Sequence, residues 1–139
     1  MLTPLLPPAS VPTQDSEYVE WAVKERFQLY DPVMLLAEAC KSMDFAGMEI
    51  YAGTLYDDTE KALNEIDQFS VSSKLQPSKD EFKLALQDIK QMAYYIERGA
   101  RNINLDDIET AAAYTESGIK HLNRSTALLP KEYTKKFNL

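Results

Sequence analysis

The sequence predicts an all-α fold, an antiparallel helical bundle, on three observations. Ala, Leu, Glu, Lys and Gln, which favour helices, dominate the chain after residue 14. Runs of β-branched residues are absent, so no segment indicates a strand. Apolar residues recur every three or four positions, which places them on one face of a helix. We therefore expect four main helices arranged as two hairpins, with an additional N-terminal helix.

The predicted domain covers residues 15–130. Residues 1–14 are expected to form a flexible arm, because they hold four of the seven prolines and no charged residue. Residues 131–139 follow a proline and are expected to be a short, frayed C-terminal tail.

The additional helix is predicted to begin after Asp15 or Ser16, either of which can cap its first N–H groups, and to run to about residue 30. The residues expected on its buried face are Val19, Ala22, Val23, Phe27 and Tyr30.

The first hairpin is predicted to start at Asp31 and Pro32, because proline suits the first position of a helix. Two interpretations of the following segment remain open. The apolar repeat over residues 45–69 is unbroken, which favours one long helix. A turn at Gly53, with Asp57 capping a new helix, favours two. We favour the break at Gly53.

An internal comparison supports that choice. Shifting the sequence by 49 positions aligns residues 31–62 with residues 80–111, and eight of the 32 aligned positions are identical. Such a match suggests a duplicated helical hairpin.

The helix boundaries of the second hairpin are clearer in the sequence. A helix is predicted from about Ser78 to Arg101, and residues 102–104 interrupt it before another helix begins at Leu105. Residues 70–78 are the predicted connection between the hairpins. The residues expected on the buried face of the last helix are Ile108, Ala111, Ala112, Thr115, Ile119 and Leu122.

The composition excludes several classes of function. With one Cys and one His, the 139-residue chain can form neither an intramolecular disulfide nor a Cys/His zinc site. A formal net charge of −7 argues against nucleic-acid binding and favours a basic partner. No apolar run approaches the roughly 20 residues that span a bilayer, and the N-terminal stretch does not resemble a signal peptide. We expect a cytoplasmic protein without a cofactor; an exported domain on a proline-rich tether is the alternative.

The acids Asp57, Asp58 and Glu60, like the acid pair at 106–107, are expected in the first turn of a helix. There an Asp can cap N–H groups and the helix dipole stabilises negative charge. A divalent-cation or acid–base site is the alternative, although no calcium-binding loop motif is present. Residues 31–71 hold nine acids and two bases, so these acids are also candidates for an acidic binding face.

The tyrosines Tyr51, Tyr94 and Tyr95 are the other candidate binding residues. A helix cannot bury two adjacent side chains on one face, so Tyr94 or Tyr95 should border the core or a surface groove. Aromatic residues of this kind occur in interfaces and ligand pockets as well as in ordinary cores.

The remaining reactive side chains indicate no enzyme. His121 has no acid three or four residues before it, and Cys40 lies on an apolar helical stripe. We therefore predict a non-catalytic helical interaction module that binds another protein or itself. The alternative is a ligand-binding or sensory bundle with a tyrosine-lined pocket between helices. An enzyme that uses only carboxylates and tyrosines is the third hypothesis.

Overall fold

The computed structural model describes residues 13–139, and the secondary structure in that range is entirely helical. The predicted all-α bundle is confirmed. Four long helices pack in chain order through short connections that reverse the chain, and a short fifth helix follows. The helices are α1 (Asp15–Lys41), α2 (Phe45–Ile66), α3 (Gln76–Asn102), α4 (Leu105–Ala127) and α5 (Lys131–Lys136). The arm predicted for residues 1–14 lies outside the described residues, apart from its last two.

The start of α1 is fixed by the connection between α2 and α3. Gln14 and Ser70 exchange two hydrogen bonds: the Gln14 N–H donates to the Ser70 carbonyl, and the Ser70 N–H donates to the Gln14 side chain. Asp15 does not cap α1 as predicted. Its carboxylate instead accepts bonds from the backbone N–H and the hydroxyl of Ser72, at 2.7 and 2.6 Å.

α1 continues through Pro32, so the predicted start of a new helix at Asp31 and Pro32 is wrong. Pro32 has no N–H and leaves the carbonyl of Gln28 without its donor within the helix. Gln28 is exposed, so water can replace that bond. Leu29 and Leu36 are buried on either side of the proline, and their packing holds both halves in one helix.

α2 is also continuous, and the predicted turn at Gly53 is wrong. The chain turns earlier, where Met43 has a φ of 56° and Asp44 caps α2 by accepting the Gly47 N–H at 3.0 Å. A single stripe of buried residues then runs along α2, so its packing requires no break. The stripe consists of Met48, Ala52, Leu55, Thr59, Ala62 and Ile66.

The suggested duplication does not appear in the helix boundaries. With the offset of 49, the turn at residues 42–44 corresponds to positions 91–93, which lie inside α3. The turn at residues 103–104 corresponds to positions 54–55, inside α2. The identities therefore reflect a shared helix-forming composition rather than two copies of one hairpin.

The hairpin of α3 and α4 was predicted correctly. Pro77 lies in the first turn of α3, and the chain leaves that helix through Ile103 in the left-handed conformation, φ 50°. The Asn104 N–H donates to the Gly99 carbonyl at 2.8 Å, the long bond of a Schellman turn. The Asn104 side chain then caps α4 by accepting from the N–H groups of Asp106 and Asp107.

The C-terminal segment is more ordered than expected for a frayed tail. Residues 131–136 form α5, which buries Tyr133 against the core. Glu132 reaches Lys74, which precedes α3, with 2.6 Å between the carboxylate oxygen and the ammonium nitrogen.

The bundle is open on one side. Each long helix packs extensively against the next one in the chain, whereas α1 and α4 make few direct contacts. At one end they are joined where the Arg26 guanidinium donates to the Leu122 carbonyl at 2.9 Å. Along the rest of their length α1 and α4 stand apart over the surface of α3.

Candidate apolar groove

The space between α1 and α4 is an apolar groove of about 410 Å³, with α3 as its floor. The volume falls within the range of small-molecule sites in proteins. The side chains that define its walls and floor include Val23, Phe27, Tyr30 and Val33 from α1, Phe82, Leu86, Ile89 and Met92 from α3, and Thr115, Ile119 and Leu122 from α4.

The groove exposes apolar residues that the sequence predicted to be buried. Phe27 and Tyr30 were placed on the buried face of the first helix, but 74% and 62% of their surfaces are exposed. Ile119, assigned to the buried face of the last helix, is 54% exposed. These faces were identified correctly as apolar, but no helix of the described chain covers them.

Two small residues bring the floor of the groove close to one wall. Gly118 of α4 packs against α3, where an added Cβ would lie 3.3 Å from the Cβ of Asp88. Ala85 is fully buried beneath the groove and its carbonyl also faces Gly118. Small side chains here let α3 and α4 approach closely, and they leave space above the floor that larger side chains would fill.

Arg26 carries the one charged side chain that lines the groove in the described part of the chain, and Leu139, the last residue of the sequence, lines the groove as well. Arg26 is partly buried, and burial lowers the pKa of its guanidinium, while the nearby Tyr18 opposes that shift. No carboxylate among residues 13–139 lies within 4 Å of it. Arg26 also borders a second space of about 20 Å³, lined in part by Ser78 and Ser125, which is large enough for one water molecule.

The tyrosines predicted as a pocket lie elsewhere and form a packed cluster. Tyr94 and Tyr95 contact each other edge to face, with ring centroids 5.2 Å apart, and Tyr95 stacks on Tyr114 at 5.6 Å. Tyr94 also lies 6.5 Å from Tyr56 of α2. Tyr51 is partly buried and packs against the core, outside these ring pairs. Tyr51, Tyr94 and Tyr95 line neither the groove nor the small space beside Arg26.

An arginine fixes this tyrosine cluster to the start of α4. The Arg98 guanidinium lies over the rings of Tyr94 and Tyr95, 5.3 and 5.0 Å from their centroids. It donates two hydrogen bonds to the Asp107 carboxylate, at 3.0 and 2.7 Å. These bonds raise the pKa of Arg98 and lower that of Asp107. The cluster therefore ties α3 to α4.

The acids proposed for a binding face lie in the middle of α2. Asp57, Asp58 and Glu60 are all exposed there, so the prediction that Asp57 caps a helix is wrong. They line neither the groove nor the small space beside Arg26. Asp106 and Asp107 do lie in the first turn of α4, although Asn104 is the cap.

His121 lies close to two acidic residues of α3, which the sequence of its own helix could not indicate. Its Nδ1 lies 2.5 Å from a carboxylate oxygen of Glu81, and its Nε2 lies 3.9 Å from Asp88, both on α3. No group of His, Cys, Asp and Glu among residues 13–139 is arranged to hold a metal ion. Cys40 is partly buried, and burial raises the pKa of its thiol.

No helix within residues 13–139 has an apolar stretch long enough to cross a bilayer. Comparisons with protein-family models, with curated proteins and with solved structures found no match to the chain.

Proposed function

We propose that this protein is a non-catalytic binding protein and that the groove between α1 and α4 holds a predominantly apolar ligand. The observation that carries the proposal is the 410 Å³ volume over α3, bordered almost entirely by hydrocarbon side chains. Binding there would remove the exposed parts of Phe27, Tyr30 and Ile119 from water, which is favourable in proportion to the apolar area buried.

The chemistry of the lining supports binding rather than catalysis. Arg26, Thr115 and the Tyr30 hydroxyl are the polar side-chain groups that the described chain presents at the groove. The Thr115 hydroxyl already donates to the Ala111 carbonyl at 2.9 Å. Such a lining offers neither a general base nor a nucleophile beside a bound molecule.

The site differs from the tyrosine-lined pocket that the sequence suggested. The rings of Tyr94 and Tyr95 are occupied by contacts with each other, with Tyr114 and with Arg98. The proposal keeps the idea of a ligand-binding bundle and moves the ligand to the groove between α1 and α4.

A second candidate is a protein–protein interaction through the same face, with an apolar helix of a partner or of a second copy lying in the groove. The exposure of Phe27 and Tyr30 at the mouth of the groove favours it, because large exposed apolar residues in one patch are typical of interaction sites. In this case the acids of α2 would attract a basic partner.

The test uses a neutral fluorescent probe and one pair of matched variants. N-phenyl-1-naphthylamine is uncharged and fluoresces in apolar sites, so its titration reports the groove without testing charge. Thr115→Leu adds apolar bulk at one end of the groove, and Thr110→Leu is its control. Thr110 is exposed on the same helix and makes the same hydroxyl bond to the carbonyl four residues earlier, also at 2.9 Å.

We expect saturable binding of the probe to the wild type and to Thr110→Leu, and at least tenfold weaker binding to Thr115→Leu. Equal binding to both variants, or none to the wild type, contradicts the proposal. Native mass spectrometry of gently purified protein distinguishes the two candidates. An added small-molecule mass supports the ligand. A stable dimer that Phe27→Ser dissociates supports the protein–protein interface and overturns the ligand proposal.

A further inference from the structure

We infer that the ligand of the groove is a single-chain aliphatic carboxylate, with its anionic head at Arg26 and its hydrocarbon tail directed toward Val33 and Met92. This inference rests on the proposed function, because it names the chemical class of molecule that the same groove would take. It comes from the position of one cation in an otherwise apolar site and from the length of that site.

The charge argument begins with the donors of Arg26. A guanidinium has five N–H donors, and Arg26 uses one of its nitrogens to donate to the Leu122 carbonyl within residues 13–139. Its surroundings within residues 13–139 supply no carboxylate to pair with the charge. The N–H donors of this partly buried arginine that residues 13–139 leave without an acceptor favour a planar anion, which a carboxylate matches with two parallel hydrogen bonds.

The position of Arg26 makes the site asymmetric. α1 and α3 run parallel, so Val23 and Phe82 lie at one end of the groove and Val33 and Met92 at the other. Arg26 lies near the first end, where it bridges to α4. The charged head group is therefore expected at that end, beside the small space that has room for one water.

The length of the groove sets the length of the tail. From Arg26, where the head group lies, to Val33 the α1 wall spans seven residues, or about 10.5 Å at a rise of about 1.5 Å per residue. Extended chains advance roughly 1.2 Å per bond, from about 3.6 Å per three backbone bonds in an extended peptide. The groove therefore accommodates a tail of about nine carbons beyond a head group at Arg26.

The experiment compares ligands that share a tail and differ in head group. Decanoate, decan-1-ol and decylammonium are each titrated, below the concentrations at which they aggregate, against wild-type protein loaded with N-phenyl-1-naphthylamine. We expect decanoate to displace the probe at about tenfold lower concentration than decan-1-ol, because only the carboxylate brings an opposite charge and two acceptor oxygens to the guanidinium. Decylammonium should be the weakest, because its positive charge is repelled by Arg26.

Two variants assign the preference to Arg26. Arg26→Gln should bring decanoate to the affinity of decan-1-ol, each measured relative to the affinity of the same variant for the probe. Lys24→Gln removes the same charge from an exposed position two residues away and should leave the preference intact. Arg26→Lys, which keeps the charge on a similar stem, should retain part of the preference.

The outcomes separate this inference from the proposed function. If the probe binds in the groove but the three head groups compete equally, or if Arg26→Gln keeps the preference for decanoate, the carboxylate assignment is wrong and the groove stands. If neither the probe nor any alkyl ligand binds, the proposed function itself fails.

Discussion

Replacing Ile103 with glycine is expected to stabilise the protein, although isoleucine is the larger and more apolar residue. Ile103 ends α3 with a φ of 50°, a conformation in which a β-branched side chain is strained. Its side chain is 68% exposed, so removing it sacrifices little packing. The left-handed conformation costs about 1–2 kcal/mol for an ordinary residue, whereas glycine adopts it freely.

The expected gain in the free energy of unfolding is smaller than the strain energy that the substitution removes. Glycine also increases the conformational entropy of the unfolded chain, which offsets the gain by roughly 0.5–1 kcal/mol. The net increase in the free energy of unfolding should therefore be about 1 kcal/mol, or a rise in Tm of roughly 3–5 °C for a chain of this size. Thermal unfolding followed by circular dichroism, together with urea unfolding, measures both quantities.

The control is the same substitution in an ordinary helical position. Ile50 is 66% exposed within α2, so Ile50→Gly also removes an exposed side chain but places glycine in a regular helix. It should destabilise the protein by roughly 0.5 kcal/mol, because glycine has a low helix propensity. If Ile103→Gly destabilises to the same extent, the turn gains nothing from glycine and the strain argument is refuted.

Two further predictions concern the contact between α3 and α4 and can be tested by the same unfolding measurements. Gly99→Ala should destabilise the protein by about 1–2 kcal/mol, because the added Cβ would lie 2.9 Å from the Asn104 carbonyl oxygen. In the control Gly53→Ala the nearest atom would lie 3.7 Å from the added Cβ, so this variant should stabilise the protein by up to about 1 kcal/mol. Destabilisation by both variants would contradict the steric explanation. Hydrogen bonds from Arg98 lower the pKa of Asp107 from its ordinary value of 3.8, so the stability contributed by ionised Asp107 is complete above that value and is lost as the pH falls through the lower folded value. The stability difference between wild type and Asp107→Asn should therefore shrink below about pH 4, and a difference that stays constant down to pH 2 would refute this assignment.

Local signals in the sequence were sufficient to predict the hairpin of α3 and α4. Residues 102–104 interrupt the apolar repeat between the two predicted helices, and the structure has its turn there. Ile103 is a residue that the turn strains, yet the break was recognisable because polar asparagines flank it. Where the local signals agree with the tertiary packing, the sequence alone predicts the helix boundaries.

Elsewhere tertiary packing overrode the local signals. Pro32 marks a helix start in isolation, but Leu29 and Leu36 are buried on either side of it and α1 continues. Gly53 was interpreted as a helix end, although it lies inside α2 with a conformation that other residues can adopt. Propensity is a weak guide when a continuous apolar stripe can be buried only by a continuous helix.

The groove could not be predicted from the sequence, because it exists only where α1 and α4 do not pack against each other. The periodicity identified the apolar faces that contain Phe27 and Ile119, and it assumed that every such face packs against another helix. In the structure both faces border the same open space. The adjacent tyrosines Tyr94 and Tyr95 predicted a pocket or interface, yet in the structure they contact each other and Arg98.

The open side of the bundle gives the binding proposals a thermodynamic signature that does not depend on knowing the natural ligand. Phe27 and Tyr30 remain exposed in the free protein, so any occupant of the groove buries apolar surface that folding alone leaves in water. A ligand that binds only the folded state raises the free energy of unfolding by about 2.7 kcal/mol when its concentration is 100 times its Kd. The Tm should therefore rise with decanoate in the wild type and rise less in Arg26→Gln. It should also rise more for each added methylene until the tail reaches the end near Met92. A plateau at that length would show that the groove, rather than the general surface, sets the affinity.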